Sequence, residues 1–353
     1  MQTKHILPLT GIRAFAACWV VLYHFHPWLV MLCPAARVLD PLILHGYEAV
    51  PLFFLLSGFI LSHNYFPTYS LTQHHKFLFL RFARLWPVHL SVLMLLFIGI
   101  DFPQNLFNSL KPLSIDLSMT GAWHNTGGGY NPPAWSISAE WFAYMTVFPL
   151  AFLLFKRIRR WWLVVLIVVG LLAIHVTPAN SYLFPIGRCG TIFFLFLAGS
   201  GLYQLRLLLK DPPAEAITVY GLLLMIVYIA FSKCTSTFIL YAAFAHLIFG
   251  LSYQRGFLAK FLSTRVMVYG GLISYSLYMT HYLVIRAFIF YSWEHWKRLP
   301  HLPLLAIPVL LLSLAIFLGL AMVFYHFIEE PANRKLRQCL QVGNHRPRLA
   351  VPA

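Results

Sequence analysis

Ten long apolar runs divide this 353-residue chain, and they constrain its fold more than any other feature. An α-helix needs about 20 apolar residues to cross the hydrocarbon core of a bilayer, and most of the runs approach that length. The chain is 60% hydrophobic and 10% charged, whereas soluble domains carry about 25% charged residues. We therefore expect an all-α integral membrane protein with about ten transmembrane helices. The runs lie near residues 7–32, 41–63, 77–100, 135–155, 161–177, 186–204, 216–232, 236–252, 267–291 and 301–327.

The positions of Lys and Arg predict an orientation for these runs. If the first of ten alternating helices starts in the cytoplasm, 18 of the 26 Lys and Arg residues fall in cytoplasmic segments and 6 in external ones. This bias follows the positive-inside rule and predicts that the N- and C-termini are both cytoplasmic. We expect a transmembrane domain over residues 1–335 and a basic cytoplasmic tail over residues 336–353. The first run is too long for the core of a cleavable signal peptide, so it is read as the first helix.

The net charge of +16 and the five cysteines argue against two classes of site. The positive charges lie between apolar runs, where membrane topology and anionic lipid headgroups account for them. No basic patch with interleaved aromatic residues forms a domain, so we do not expect nucleic-acid binding. The cysteines form no CxxC pair and are odd in number, which supports neither a disulfide framework nor a zinc site. We expect no metal.

Arg13 and His24 lie in the first run, where ionisable side chains are costly and therefore candidates for function. On a helix, eleven residues place the two within about 20° of one face and about 16 Å apart, so we expect them to line one cavity at two depths. A neutral histidine takes a proton from an attacking hydroxyl, and an arginine holds an anion. The alternatives are that His24 is a hydrogen-bonded packing residue and that Arg13 extends to the membrane interface.

Three further ionisable residues belong to the same set of candidates. Arg81 and Arg84 share a helix face at a cytoplasmic boundary, where a phosphate-bearing ligand could bind. The alternative is an ordinary positive-inside pair. Glu140 follows the sequence NPPAWS by one helical turn and must be paired or protonated in the membrane. Its alternative is a structural ion pair with an intramembrane arginine.

Six short segments, in this order along most of the chain, resemble the motifs of acyltransferase family 3, whose members acylate hydroxyl groups of bacterial cell-surface and exported glycans. They are LTGIRAFAACWVVLYHF with Arg13 and His24; GYEAVPLFFLLSGFIL with Phe54, Ser57, Gly58 and Phe59; RFARLWP with Arg81 and Arg84; PPAWSISAEW with Trp135, Ser136 and Glu140; SYSLYMTHYLVIR with Ser274, Tyr275, Ser276, Tyr278 and His281; and IEEPANR near the C-terminus. Two departures are visible. Residues 50–52 read Val-Pro-Leu, where an acidic residue often precedes the Phe pair, and the extra helix and exported domain of many relatives have no counterpart. The second departure leads us to expect that the membrane domain acts alone.

The resemblance implies an O-acyltransferase of the bacterial inner membrane. Acetyl-CoA, the commonest donor in the family, would bind from the cytoplasm, and the acceptor would be a polysaccharide or its lipid-linked precursor. His24 would be the central catalytic group, with Arg13 beside it, and Arg81 and Arg84 would hold the CoA phosphates. We further expect Glu140 to be catalytic, and five residues to contact the donor: Ser57, Trp135, Ser136, Tyr278 and His281. Membrane lipids and a polysaccharide-biosynthesis complex are the expected further partners.

Several alternatives stay open at this point. His24 acts either as a general base for direct attack by the acceptor hydroxyl or as a nucleophile that is itself acylated. The external connection near residues 101–134, with Trp123 and Tyr130, is the expected place of acceptor contact. A transporter or flippase for a sugar or lipid-linked sugar would also carry charges at mid-membrane. A structural membrane subunit is the third reading.

Overall fold

The structure is a computed structural model, and it describes residues 5–99, 106–123, 129–157, 162, 167–172, 189–232, 234–296 and 303–343. All regular secondary structure in these ranges is helical, which confirms the all-α prediction for this part of the chain. Seven helical segments within it are long and apolar enough to span a membrane: Leu7–Met31, Pro34–Tyr65, Leu71–Gly99, Pro132–Arg157, Cys189–Leu208, Ala214–Phe231 and Leu310–Leu336. The count of about ten and the cytoplasmic termini stay predictions. The run near 161–177 lies largely outside the described residues.

We number the α-helices of 6 or more residues in chain order. They are α1 (Leu7–Leu32), α2 (Ala49–Tyr65), α3 (His74–Gly99), α4 (Leu106–Leu117), α5 (Trp135–Phe142), α6 (Phe148–Arg157), α7 (Cys189–Leu208), α8 (Ala214–Phe231), α9 (Thr237–Leu251), α10 (Phe257–Leu262), α11 (Arg265–Trp296), α12 (Pro303–Phe324) and α13 (Glu330–Gly343). Short helical turns over Pro34–Leu39, Asp40–Ile43 and Gly46–Glu48 connect α1 to α2.

Two π-helical turns interrupt these helices. Ala143–Val147 joins α5 to α6, and Tyr325–Glu329 joins α12 to α13. A π turn inserts one residue into the helical repeat, and such turns occur frequently at functional sites. Glu140 lies just before the first turn, and Glu329 ends the second.

Helices α1 and α11 pack closely along their lengths and run in the same direction. Thr10 and Ala14 lie against Gly271 and Gly270, and His24 meets His281 further along both helices. Close approach requires small residues, because a Cβ atom on Gly271 would lie 1.9 Å from the Thr10 carbonyl oxygen. This packing sets the distance between side chains on the two helices.

Helices α2 and α7 form a second parallel pair. Leu55 lies against Gly199, and His63 contacts Tyr203 further along both helices. Gly58 and Gly199 permit the contact, since a Cβ atom on either would lie 2.0 Å from a backbone oxygen of the other helix. Ten alternating crossings would give the first and ninth, and the second and sixth, these same relative directions.

The connection near residues 101–134 contains the helix α4 and anchors the start of α5. Its residues 101–105 and 124–128 lie outside the described part of the chain. The indole of Trp123 donates to the Ser138 carbonyl oxygen at 3.0 Å, and Tyr130 packs edge-on against Phe97. The predicted role of this connection in acceptor contact stays a prediction.

Helix α13 crosses the predicted boundary at residue 336 without a break and packs against α3. The sequence therefore continues in helical form from IEEPANR into the first half of the predicted basic tail. Residues 344–353 lie outside the described part of the chain.

Candidate active site

A cavity of about 430 Å³ lies among α1, α2, α3, α5 and α11. Its size falls in the range of small-molecule sites. One part of its wall is apolar, chiefly from α2, and the rest carries charged and hydroxyl groups. The lining residues are His5, Arg13, Val50, Phe53, Phe54, Leu56, Ser57, Ile60, Leu61, Asn64, Tyr65, Arg81, Arg84, Ser136, Ile137, Glu140, Tyr144, Ser274, Tyr275 and Tyr278.

Three guanidinium groups and one carboxylate line this cavity, which makes it electropositive. Arg81 is 5% exposed, and its Nη2 donates to the Tyr65 hydroxyl at 2.7 Å. Its Nε is buried and has no hydrogen-bond partner among the described residues. Arg13 and Arg84 lie near enough to repel each other. Buried cations and unused donors of this kind favour binding of an anion.

Glu140 enters the cavity from α5 and accepts hydrogen bonds from two hydroxyl groups. Ser57 Oγ lies 3.2 Å from Oε1, and the Tyr144 hydroxyl donates to the same oxygen. Tyr144 stands four residues after Glu140, so the helical repeat places the two side chains on one face. The alternative interpretation of Glu140, an ion pair with an intramembrane arginine, has a partial counterpart, since Glu140 lies near enough to Arg13 for their charges to attract each other.

Glu329 supplies a second carboxylate behind the cavity wall. It is 6% exposed, and Ser276 Oγ donates to its Oε2 at 2.6 Å. Its charge attracts both Arg84 and Arg13. Glu329 therefore compensates part of the positive charge that the arginines concentrate in a buried region.

Tyr278 forms the wall of the cavity on the side of α11. Its hydroxyl accepts from Ser136 Oγ at 2.9 Å and donates to the Pro133 carbonyl oxygen at 3.1 Å. Its ring packs against Phe53 on the cavity side and lies 5.7 Å from the ring of His281 on the other. Tyr278 therefore lies between the cavity and His281.

His24 and His281 contact each other at this point. His281 Nε2 lies 3.3 Å from His24 Nδ1, and the ring centroids are 5.0 Å apart. His281 is completely buried, whereas His24 is partly exposed. Neither is among the residues that line the cavity. The expectation that Arg13 and His24 line one cavity is therefore wrong for His24. Arg13 lines the cavity, whereas His24 lies beyond Tyr278.

The structure brings most of the sequence-predicted site residues together, and their proposed roles stay predictions. Seven of them line the cavity: Arg13, Ser57, Arg81, Arg84, Ser136, Glu140 and Tyr278. Trp135 instead borders a separate cavity of about 10 Å³, beside Asp116 and His89. No group of three or more metal-ligating side chains occurs in the described ranges.

Asp116 holds the connection that leads into α5. Its Oδ2 accepts from the Tyr130 backbone N–H at 2.8 Å, and its carbonyl oxygen accepts from His89 Nε2 at 2.8 Å. Burial raises the pKa of the Asp116 carboxyl to about 6. Ser138 Oγ accepts from the Ala122 backbone N–H at 3.0 Å, so the connection is tied to α5 itself.

Sequence reasoning missed three side chains at this site: Tyr65, Tyr144 and Glu329. The tyrosines lie in apolar segments, where such residues are commonly packing or interfacial groups. The spacing of four residues from Glu140 is the one signal that could have indicated Tyr144. Glu329 lies in the motif IEEPANR, but its contact with Ser276 depends on how α11 packs against the π-helical turn Tyr325–Glu329.

The chain is similar in sequence to a known protein family and to an acyltransferase of another organism. The model of acyltransferase family 3, described as an acyltransferase domain, matches residues 7–326. The acyltransferase MdmB of Streptomyces mycarofaciens is 32% identical over 171 residues, which cover 44% of this chain and 42% of that relative. The match thus spans less than half the length of the relative. No solved structure matches the chain.

Proposed function

This multi-pass membrane chain belongs to acyltransferase family 3, and from that premise we propose that it is an O-acyltransferase of the bacterial inner membrane. It moves an acyl group, acetyl in the first instance, from acyl-CoA to a hydroxyl of a cell-surface or exported polysaccharide or of its lipid-linked precursor. The observation that supports this proposal is the cavity with three arginines and one glutamate beside the paired histidines.

The charge of the cavity suits the donor. CoA carries several phosphate groups, and guanidinium groups bind phosphate through paired N–H donors. Arg81 offers a buried Nε without a described partner, and Arg84 lies one turn further along the same helix. The apolar residues of α2 on the cavity wall, such as Phe53 and Ile60, suit the less polar arm that carries the thioester.

The paired histidines suit the chemistry. In the direct route, His24 takes the proton of the acceptor hydroxyl as its oxygen attacks the thioester carbonyl, and the proton then passes to the departing CoA thiolate. In the covalent route, a ring nitrogen of His24 attacks the thioester, CoA leaves, and the acceptor hydroxyl takes the acyl group and returns the free histidine. Both routes require an unprotonated nitrogen on His24.

The test of this proposal measures two quantities separately. CoA binding to the purified protein is followed by calorimetry, and O-acetylation of surface polysaccharide is followed by mass spectrometry of a deletion strain that carries each variant. We expect Arg81→Ala to weaken CoA binding about 10- to 100-fold, the effect of losing a charge-assisted hydrogen bond. We expect His24→Ala to abolish acetylation and leave CoA binding unchanged.

Arg255→Ala is the matched control, because this exposed arginine pairs with Asp211 away from the cavity. It should alter neither quantity. Acetylation at the wild-type level in the His24→Ala strain, with the protein present in the membrane, would overturn the enzymatic role. Rapid quenching with labelled acetyl-CoA separates the two routes, since only the covalent one leaves label on the protein.

A further inference from the structure

His281 carries an inference that deepens the proposed function and rests on it. Its Nδ1 lies 2.5 Å from the Tyr278 carbonyl oxygen. A carbonyl oxygen only accepts hydrogen bonds, so Nδ1 must carry a proton. His281 is completely buried, and the two rings that pack against its own among the described residues, those of His24 and Tyr278, carry no negative charge to pair with it. Burying a charge without a counter-charge is costly, so the ring is neutral and its Nε2 is an unprotonated acceptor.

This acceptor determines the protonation of the neighbouring histidine. His24 Nδ1 lies 3.3 Å from His281 Nε2 and 3.1 Å from the Val20 carbonyl oxygen. Both neighbours are acceptors, so His24 Nδ1 carries a proton that the two share. A neutral imidazole has one N–H, and the second ring nitrogen, Nε2, must then be unprotonated.

We propose that His281 is a positioning residue that holds His24 in the tautomer whose Nε2 is free to react. The hydrogen bond from His24 Nδ1 to His281 also becomes stronger when His24 Nε2 takes the proton of the acceptor hydroxyl, because the donor is then charged. An aspartate serves this orienting purpose in Ser-His-Asp triads. Here a neutral ring provides the acceptor, which avoids a buried carboxylate beside the histidine.

This role differs from the donor contact that the sequence predicted for His281. The side chain is separated from the cavity by Tyr278, whose own carbonyl oxygen fixes the ring of His281. Helix α11 therefore contributes both the wall of the donor cavity, through Tyr278, and the support of the reactive ring, through His281.

The test compares two replacements of His281 that differ in one acceptor. His281→Gln places a carbonyl oxygen close to the position of Nε2, whereas His281→Leu has a similar size and no acceptor. We expect the Leu variant to lower the turnover rate about 100-fold, the scale of a general base in the wrong protonation form. The Gln variant should recover at least about tenfold of that loss. The dissociation constant for CoA should stay within about twofold in both variants.

A spectroscopic measurement shows whether the effect comes from the tautomer. Nitrogen-15 NMR of the histidine-labelled protein distinguishes protonated from unprotonated ring nitrogens, and the His24→Asn spectrum identifies the His24 signals among the 16 histidines. We expect a protonated Nδ1 on His24 in the wild type and the Gln variant, and a mixture of tautomers in the Leu variant. If the Leu variant does not fold, His281→Asn replaces it, because its oxygen lies one bond short of the acceptor position.

Three results would overturn this assignment. An unchanged His24 tautomer in the Leu variant would show that the Val20 carbonyl oxygen suffices. A weaker CoA affinity in that variant would show that His281 contacts the donor, as the sequence predicted. Wild-type turnover in that variant would exclude any role for the acceptor. Each of these results would leave the proposed function intact if His24→Ala still abolishes acetylation, whereas persistent acetylation in His24→Ala would overturn both.

Discussion

Glu140 illustrates how single residues at this site depend on hydroxyl groups rather than on ion pairs alone. Its Oε1 accepts from Ser57 and from Tyr144, which lie on different helical segments. A partly buried carboxylate that loses a hydrogen-bond donor keeps its desolvation cost and loses part of the compensating interaction. The two hydroxyls therefore hold the Glu140 carboxylate in place at the cavity wall.

We predict that Tyr144 and Glu140 are energetically coupled. Tyr144→Phe and Glu140→Gln, made singly and together, should give a coupling of about 1.5–3 kcal/mol in the free energy of unfolding, the range for a hydrogen bond to a charged group. The measurement is unfolding of the purified protein in mixed micelles. Ser57→Ala in place of Tyr144→Phe is the control and should couple less, because its bond to Glu140 is 3.2 Å long. Additive single effects for Tyr144 and Glu140 would contradict this prediction.

The sequence predicted the charged residues of the site better than their partners. Arg13, Arg81, Arg84 and Glu140 were identifiable because an ionisable group in an apolar run is costly and rare. The contact between His24 and His281 was not, since it joins residues 257 positions apart. Nothing in the local pattern of either helix states which other helix it faces.

At the scale of helices, small residues decide which segments approach closely. Gly271 lies against Thr10, and Gly270 lies against Ala14, in the contact that joins α1 to α11. Membrane helices associate through such packing because lipid provides no hydrophobic driving force between them. The glycines were visible in the sequence, but apolar runs offer many small residues, and their pairing follows only from the assembled fold.

We predict that Gly271→Ala destabilises the protein and impairs the proposed activity together. The new Cβ would lie 1.9 Å from the Thr10 backbone oxygen, so α1 and α11 must move apart. Overpacking of this kind costs about 1–3 kcal/mol. The shift also lengthens the 3.3 Å contact between His24 and His281. Gly319→Ala in α12 is the matched control, because its Cβ would meet nothing within 4 Å.

The measurements are the free energy of unfolding and the rate of acetyl transfer for both glycine variants. Gly319→Ala should leave the protein as stable as the wild type or more stable by up to about 1 kcal/mol, because Ala favours a helix interior over Gly and the new Cβ meets nothing. If the two variants have the same free energy of unfolding and the same rate of acetyl transfer, neither quantity depends on the close approach of α1 to α11 at Gly271. If Gly271→Ala lowers stability but leaves the rate of acetyl transfer unchanged, the contact between α1 and α11 does not control the geometry of the histidine pair.

At the scale of the whole molecule, the fold collects many of the positively charged segments at one end. Arg255 pairs with Asp211, and Arg206 lies over the ring of Tyr253, so the segment after α7 meets the segment after α9. The Leu262 carbonyl oxygen touches Gly11 near the start of α1, and α13 packs against α3. In the predicted topology these same segments are cytoplasmic and carry most of the Lys and Arg residues. The structure thus brings together segments that the predicted topology places on one side of the membrane.

The opposite end is formed by other segments. The connection after α1 reaches the end of α8, where the ring of His45 lies 5.3 Å from that of Tyr228. His26 and Asp40 approach within 2.8 Å in the same region. Cys33 lies in this connection, and the exposed Cys234 follows α8. Two cysteines therefore mark one end of the molecule, and Cys339 lies in α13, within the predicted cytoplasmic tail.

We predict that these cysteines report opposite sides of the membrane. In variants that keep one cysteine each, a membrane-impermeant maleimide added to intact spheroplasts should label Cys33 and Cys234. Cys339 should react only after the membrane is permeabilised, because the positive-inside rule places the end rich in Lys and Arg in the cytoplasm. A variant without cysteines controls for background. Cys18, which lies within α1, should react poorly from either side because lipid excludes the charged reagent. Labelling of Cys339 in intact spheroplasts would show that the orientation is the reverse of the predicted one. The arginine-lined cavity would then lie away from cytoplasmic acyl-CoA.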